Sequence, residues 1–191
     1  AYEIPKRDWS SDVCSSDLVT DLDVMVELLR ATGAVVELPE PGVVRVDASG
    51  DLVPEAPYEL VTRMRASFNV LGPLVARCGR ARVAMPGGDN IGSRKVDMHL
   101  RGLEAMGAEV EVAHGFIETR ADLLRGARVV LDFPSVGATE NLMCAAVLAK
   151  GTTVIENAAR EPEVTDLASL LNRMGGHVHE HVPSHPEHNR G

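Results

Sequence analysis

Twelve residues, Pro86-Gly87-Gly88-Asp89-Asn90-Ile91-Gly92-Ser93-Arg94-Lys95-Val96-Asp97, carry the densest set of groups able to do chemistry. Three glycines in six positions give the backbone wide freedom. Such a loop is either a solvated turn or a mobile segment that turns its amide N–H groups toward an anion. Arg94 and Lys95 add positive charge at the start of the helix that follows, where the helix dipole also favours an anion. Asp89 sets a carboxylate at the tip of the loop.

A second loop, Asp132-Phe133-Pro134-Ser135-Val136-Gly137-Ala138-Thr139-Glu140-Asn141, has the same logic. Its small residues Ser135, Gly137 and Thr139 would let a phosphate approach the backbone, or would simply cap a helix. Arg65 falls in the apolar stretch 58–78, expected to be a buried helix, where an unpartnered charge is costly. It is expected either to be paired or to point from that helix into an anion site, with Asn69 one turn later on the same face. Together these features suggest a phosphorylated small-molecule ligand.

The elements that must position these loops repeat along the chain. The segments 21–38, 95–112 and 163–180 each read as an amphipathic helix ending in glycine and followed by an alternating strand. Gly33, Gly107 and Gly175 stand where a helix releases its last carbonyls, and Leu29, Leu103 and Leu171 lie four residues before them. Between these units, 58–78 and 138–150 are more uniformly apolar, as buried helices are, and each leads through Gly79 or Gly151 into a short β-rich run. Pro73 should kink or divide the first of them. Strands are expected over 82–86, 109–115, 116–122, 127–133 and 152–157. The alternation predicts an α/β class with helices enclosed by sheets.

Composition narrows the function classes. Apolar residues make up 45% of the 191 residues and charged residues 25%, which suits a globular protein with a core. A formal charge of −9 argues against nucleic acid or an anionic membrane as partner. No apolar run nears the roughly 18 residues of a membrane span, and no apolar signal core opens the chain, so the expected location is cytoplasmic. Cys14, Cys78 and Cys144 have no metal-ligand spacing.

Both ends differ from the middle. Residues 1–18 are rich in Ser and Asp without periodicity, and Asp8 to Leu18 resembles a translated sequencing-adapter oligonucleotide, so they are expected to be a non-native leader. Residues 177–191 hold five of the seven histidines. Alternating His177, His179 and His181 would share a strand face able to bind metal, but the segment has no apolar face and is expected to be a disordered or frame-shifted tail.

The residues of the middle resemble a known family. PYELVTRMRAS, LGPLVAR, PGGDNIGSRKVDMHLRGLEAMGA and SVGATENLMCAAVLAKGTTVIENAAREPEVTDLASLLNRMG are similar, in order and spacing, to the UDP-N-acetylglucosamine 1-carboxyvinyltransferase group of the enolpyruvyl transferases, from about Val19 to Gly176. The resemblance implies an inside-out α/β barrel built from repeated helix–strand units, of which 19–176 would be one incomplete domain. It implies transfer of enolpyruvyl from phosphoenolpyruvate to the 3′-hydroxyl of UDP-N-acetylglucosamine, the first committed step of peptidoglycan precursor synthesis. It implies no metal and no organic cofactor. The partners would be the two substrates and a second domain of the same chain, without which this chain would be inactive. The alternatives are the shikimate-pathway enolpyruvyl transferase and a non-catalytic nucleotide-sugar-binding module.

Carried over by position, Asp89 falls where most members have the cysteine cast as proton donor. Arg94 resembles the loop arginine on phosphoenolpyruvate, and Arg94, Lys95, Val96, Asp97 and Met98 match the segment lining the nucleotide-sugar site. Arg65 matches a helix arginine near the same ligand. Phe133, Pro134, Ser135, Val136 and Gly137 match the loop around diphosphate and uracil, with Phe133 where many relatives have a lysine. Asn69 replaces an aromatic of some members, and Glu161 matches an acidic residue near the domain junction. An aspartate at position 89 implies resistance to fosfomycin, an epoxide that alkylates the cysteine form.

Overall fold

The computed structural model describes the backbone of residues 2–5, 15–40, 43–85 and 96–180, with side chains from residue 21 onward. The calls on Asp89, Arg94 and Lys95, and on the tail beyond residue 180, lie outside the described residues.

The chain opens with β1 (Tyr2–Pro5), α1 (Ser15–Ala31), β2 (Val35–Glu37) and β3 (Val43–Asp47). The strands form one antiparallel sheet in the order β1-β3-β2. Tyr2–Pro5 therefore pairs with Val43–Val46, and Ser15–Leu18 begins α1, although neither stretch shows a periodic pattern. α1 is amphipathic on two sides. Val26 and Leu29 pack with Val36, Val44 and Val46 of this sheet, while Leu28 reaches the main core.

A second sheet combines β4 (Glu55–Ala56), β5 (Arg80–Ala84), β6 (Glu109–Ala113) and β7 (Phe116–Arg120) in the order β4-β5-β7-β6. β6 and β7 are joined by the two residues His114 and Gly115, both at positive φ (53° and 80°), as a tight hairpin of right-handed twist requires. The third sheet is a parallel pair, β8 (Arg128–Val130) with β9 (Val154–Glu156). The strand positions agree with expectation to within a few residues.

The stretch 58–78 is not one kinked helix. It is α2 (Tyr58–Val61), a 3-10 turn (Arg65–Val70) and α3 (Leu71–Cys78). The division falls at Met64, which is extended (φ −144°, ψ 121°), and not at Pro73. Pro73 lies in the first turn of α3, where a missing N–H costs nothing because the helix has no partner for it there. The remaining helices are α4 (Asp97–Ala105), α5 (Val136–Ala146) and α6 (Pro162–Arg173).

The three glycine-terminated helices end alike. Gly33, Gly107 and Gly175 have φ of 88°, 94° and 96°. In each, the N–H after the glycine bonds back to the carbonyl of the repeated leucine: Ala34 to Leu29 (3.1 Å), Ala108 to Leu103 (3.0 Å) and Gly176 to Leu171 (2.9 Å). This pairing satisfies carbonyls that the helix leaves open. The third unit departs from the repeat, because residues 176–180 form no strand. There the side-chain amide of Asn172 clips both backbone groups of Val178 (2.8 and 2.7 Å), the role a neighbouring strand would fill.

Helices α3, α4, α5 and α6 pack against one another through α5, whose buried residues are mostly apolar. α3 is backed by β5 and β7, α4 by β6 and β8, and α5 by β9. The architecture is thus α/β with helices inside and sheets outside; among the described residues the strands form three separate sheets. Leu71, Val75, Leu103, Met106, Ile117 and Leu142 fill the common core at 0–1% exposure. No helix among the described residues is long and apolar enough to cross a membrane.

Candidate functional site

The amino ends of α3, α4 and α5 meet at one end of the core. α3 and α5 touch there backbone to backbone: a Cβ on Gly72 would stand 2.3 Å from the carbonyl oxygen of Asn141. Further along, Gly102 of α4 admits Leu142 of α5, whose Cδ2 would be 2.4 Å from a Cβ. Asn141 bolts the three helices together. Its Oδ1 accepts from the Gly72 N–H (2.6 Å), and its amide nitrogen lies 2.9 Å from His99 Nδ1 on α4. Asn141 is fully buried, so both contacts form away from competing water.

Three predicted segments converge here. Val96–Met98 form the entry to α4, Ser135–Gly137 the entry to α5, and Arg65 begins the 3-10 turn that leads into α3. Ser135 caps α5 as its residue type suggests, accepting from the Ala138 N–H at 3.4 Å. Thr139 donates to the Ser135 carbonyl (2.7 Å) and accepts from the Ala159 N–H (3.0 Å), which ties the 158–160 connection to the same helix start. Arg101 of α4 pairs with Asp132 and so anchors the Phe133–Pro134 loop, and it holds the Asp132 carboxyl below its ordinary pKa.

Not every candidate faces outward. Val96 and Met98 are buried in the main core, which leaves only their backbone for a ligand. Arg65 is exposed and not within a buried helix, because a 3-10 turn has replaced the helix expected there. Its charge nevertheless reaches His99. Phe133 is 59% exposed beside exposed Pro134, placed to meet a ligand or a partner surface. Asp97, the first residue of α4, has a buried Oδ1 with no hydrogen-bond partner among the described residues. Asn69 donates to Glu140 Oε2 (2.8 Å), and burial raises the Glu140 carboxyl above its ordinary pKa against that bond.

Sequence reasoning missed His99 and Asn141. His99 is 7% exposed, stacks edge-on against Phe68 (centroids 5.1 Å apart) and has its pKa pushed down to about 4. Burial is the main cause, the Arg65 charge adds to it, and Asp97 opposes it. The available signal was polarity in the wrong place: His99 falls on the apolar face of α4, between Met98 and Leu103, and Asn141 interrupts the apolar run of α5.

A groove of about 910 Å³ lies at the far end, beside Gly79 and Gly107 where α3 and α4 finish. Its charges largely cancel. Arg82 pairs with Glu55 and Glu118, and Arg120 with Glu118. At the other end, where the helices start, the Gly72 and Ala138 N–H groups are taken up by Asn141 Oδ1 and Ser135 Oγ.

Comparison with known proteins gives a consistent result. The family model described as EPSP synthase (3-phosphoshikimate 1-carboxyvinyltransferase) matches residues 10–187. The chain is 57% identical over 160 residues to UDP-N-acetylglucosamine 1-carboxyvinyltransferase 2 of Carboxydothermus hydrogenoformans, covering 84% of this chain and 38% of that protein. It is 50% identical over 171 residues to UDP-N-acetylglucosamine 1-carboxyvinyltransferase 1 of Caldanaerobacter subterraneus subsp. tengcongensis, covering 88% and 41%. The chain thus spans about two fifths of the length of these relatives. Among solved structures, the enolpyruvyl transferase NikO from Streptomyces tendae matches with a TM-score of 0.72 at 25% identity, over 85% of this chain and 38% of that one. EPSP synthase from Acinetobacter baumannii matches in fold, with a TM-score of 0.57 at 18% identity over 74% and 34%.

Proposed function

The chain belongs to the EPSP synthase family of carboxyvinyltransferases, and from that premise we propose that its parent protein transfers enolpyruvyl from phosphoenolpyruvate to the 3′-hydroxyl of UDP-N-acetylglucosamine. The observation that carries this choice of acceptor is the 57% and 50% identity to two proteins named for that reaction, against 18% to an EPSP synthase. Peptidoglycan precursor synthesis in the cytoplasm is the setting this acceptor implies.

The chemistry assigns a need to each group. A proton goes to the methylene carbon of phosphoenolpyruvate, making it a methyl. The sugar 3′-oxygen then bonds to the central carbon as a base takes its proton. From this tetrahedral adduct, loss of phosphate and of a methyl proton restores the double bond. Asp89 is our proton donor. It must be neutral to act, so its site must raise its pKa well above roughly 4 by desolvation and by the incoming negative charge. Arg94 and Arg65 would balance the charge of phosphoenolpyruvate and of the nucleotide sugar. Lys95, the backbone of Val96–Met98, Asp97, and the Phe133–Gly137 loop would line the nucleotide sugar. The proposed reaction uses no metal or organic cofactor.

Residues 19–176 would then carry the family-like part of one closed, inside-out domain, to which Tyr2–Pro5 adds an edge strand and Val178 a contact with α6. A second domain, carrying the base and further cations, would complete the cleft and exclude water. The test is phosphate release by the complete parent protein, given phosphoenolpyruvate with either UDP-N-acetylglucosamine or shikimate 3-phosphate. Turnover with the first acceptor alone is expected. Turnover with shikimate 3-phosphate, or ligand binding without turnover, would replace this reading with one of its rivals. The 191-residue chain by itself should release no phosphate.

A further inference from the structure

Helix α6 carries two apolar edges, and only one of them is packed. Val164 and Leu171 on the first edge join Met143 of α5 and Ala159 in one cluster. Leu167, Leu170 and Met174 form the second, spaced so that they run along one side of the helix and its cap. Leu167 borders the packed edge. Leu170 is half-buried yet joins none of the apolar clusters among the described residues, and Met174 is 48% exposed.

The repeated units show that these positions are packed elsewhere. The residue just before the terminal glycine is buried in the first two units, Thr32 at 4% exposure and Met106 at 0%. Five residues before the glycine, Leu28 is fully buried in the main core and Gly102 admits Leu142 of α5. In the third unit Met174 and Leu170 hold the same two places, and there the helix presents them outward. A helix with an uncovered apolar stripe favours a partner.

The charges beside the stripe select that partner. Asp166 stands one turn before Leu170 and Arg173 almost one turn after it, both exposed and on the same flank. Neither is ion-paired among the described residues. A second copy of the helix, turned end over end about Leu170, sets its Arg173 beside Asp166, its Met174 beside Leu167 and its Leu170 against Leu170. All three pairings centre within one residue of Leu170. A parallel copy would instead set Asp166 against Asp166 and Arg173 against Arg173. The antiparallel arrangement also opposes the helix dipoles, which places each acidic first turn near a basic last turn.

We propose that this chain forms a two-fold dimer by antiparallel packing of α6 on α6, with Leu167, Leu170 and Met174 as the apolar seam and two Asp166–Arg173 pairs beside it. A two-fold contact is self-complementary, so one stripe serves both copies. One helix pair is smaller than a standard interface, so the dimer is weak, with a Kd of about 10–100 µM. The association belongs to the 191-residue chain and is independent of the acceptor assigned above.

The test is analytical ultracentrifugation of the 191-residue chain across about 1–500 µM, a range that brackets this Kd. The wild type is expected to pass from monomer to dimer. Leu170→Glu should stay monomeric with the urea midpoint of the wild type, since Leu170 belongs to no apolar cluster. Asp166→Arg and Arg173→Asp each bring like charges together twice in the dimer, and each should weaken it by about 5- to 30-fold. Mixing these two variants recreates both opposite-charge contacts, so the mixture should associate about as well as the wild type, and so should the double variant. A wild type that stays monomeric throughout overturns the inference. So does a dimer that either charge reversal or Leu170→Glu leaves intact, which would place the contact on another surface, or a mixture that associates no better than its components.

Discussion

Gly72→Ala is the substitution whose cost the structure specifies best. The new methyl carbon would lie 2.3 Å from both the carbonyl oxygen and Oδ1 of Asn141, about 1 Å inside an ordinary contact. The carbonyl is part of the α5 backbone and cannot swing aside. α3 and α5 must part, and overpacking of this kind costs about 1–3 kcal/mol. Parting them also stretches the 2.6 Å bond from Gly72 to Asn141, and a buried acceptor left unpaired costs about 1–3 kcal/mol more. Alanine returns about 1 kcal/mol through its better helix propensity. The expected net loss is roughly 2–4 kcal/mol, a large part of the stability of an ordinary domain. At about 2–4 °C per kcal/mol for a chain of this size, the melting temperature should fall by about 5–15 °C. Urea unfolding of the wild type, Gly72→Ala and Gly50→Ala provides the measurement. Gly50 has nothing within 4 Å of its Cβ position, so its variant should unfold with the wild type. Equal stability of Gly72→Ala and the wild type would refute the close helix contact on which the site description rests.

Three further outcomes follow from other parts of the molecule. Asp89→Asn in the complete parent should lower turnover by about 100-fold or more, as loss of a general acid does, and fosfomycin should leave the unaltered parent active with no adduct at Asp89 by mass spectrometry. The ring of His99 gains a proton near pH 6.5 in the unfolded chain but only near 4 when folded. Stability should therefore fall as pH drops through that window, by up to about 3 kcal/mol, partly offset by Glu140, which takes up its proton earlier when folded; His99→Gln should flatten the slope in denaturant titrations. Thr139→Val leaves the Ala159 N–H without its 3.0 Å acceptor, and should cost about 1–3 kcal/mol by chemical unfolding while leaving far-ultraviolet dichroism unchanged.

What the sequence revealed was local. The pattern of leucine, then glycine four residues on, marked three helix ends because a left-handed residue and a back-bonded carbonyl are requirements of a single turn of chain. The same pattern could not show that the third unit would end without a strand. That outcome depends on Asn172 reaching Val178, a bond that also serves as a substitute for a sheet. Pro73 misled for a related reason: proline marks a helix start as well as a break, and only the extended Met64 decides between them.

The site was legible as loops but not as a constellation. The 132–141 connection could be identified from its own composition, and Ser135 from its capping position, whereas residues 86–95 lie outside the described residues. His99 and Asn141 are 42 residues apart, and Asn141 and Gly72 are 69 apart, so no window of sequence joins them. Polar residues on otherwise apolar helix faces were the trace they left. Arg65 was assigned to a buried helix because its neighbours are apolar, and tertiary packing instead turned that stretch into a short 3-10 segment.

With Gly72 and Gly102 both admitting a neighbouring helix to contact distance, the bundle has little slack along α5. Sliding one rod past another would drive backbone into backbone, so the helices behave as a fixed anvil. Any adjustment to a substrate would then fall to the strand-to-helix connections, of which the Asp132–Ser135 crossover is held to α4 by the Arg101–Asp132 ion pair and to α5 by the bonds of Ser135.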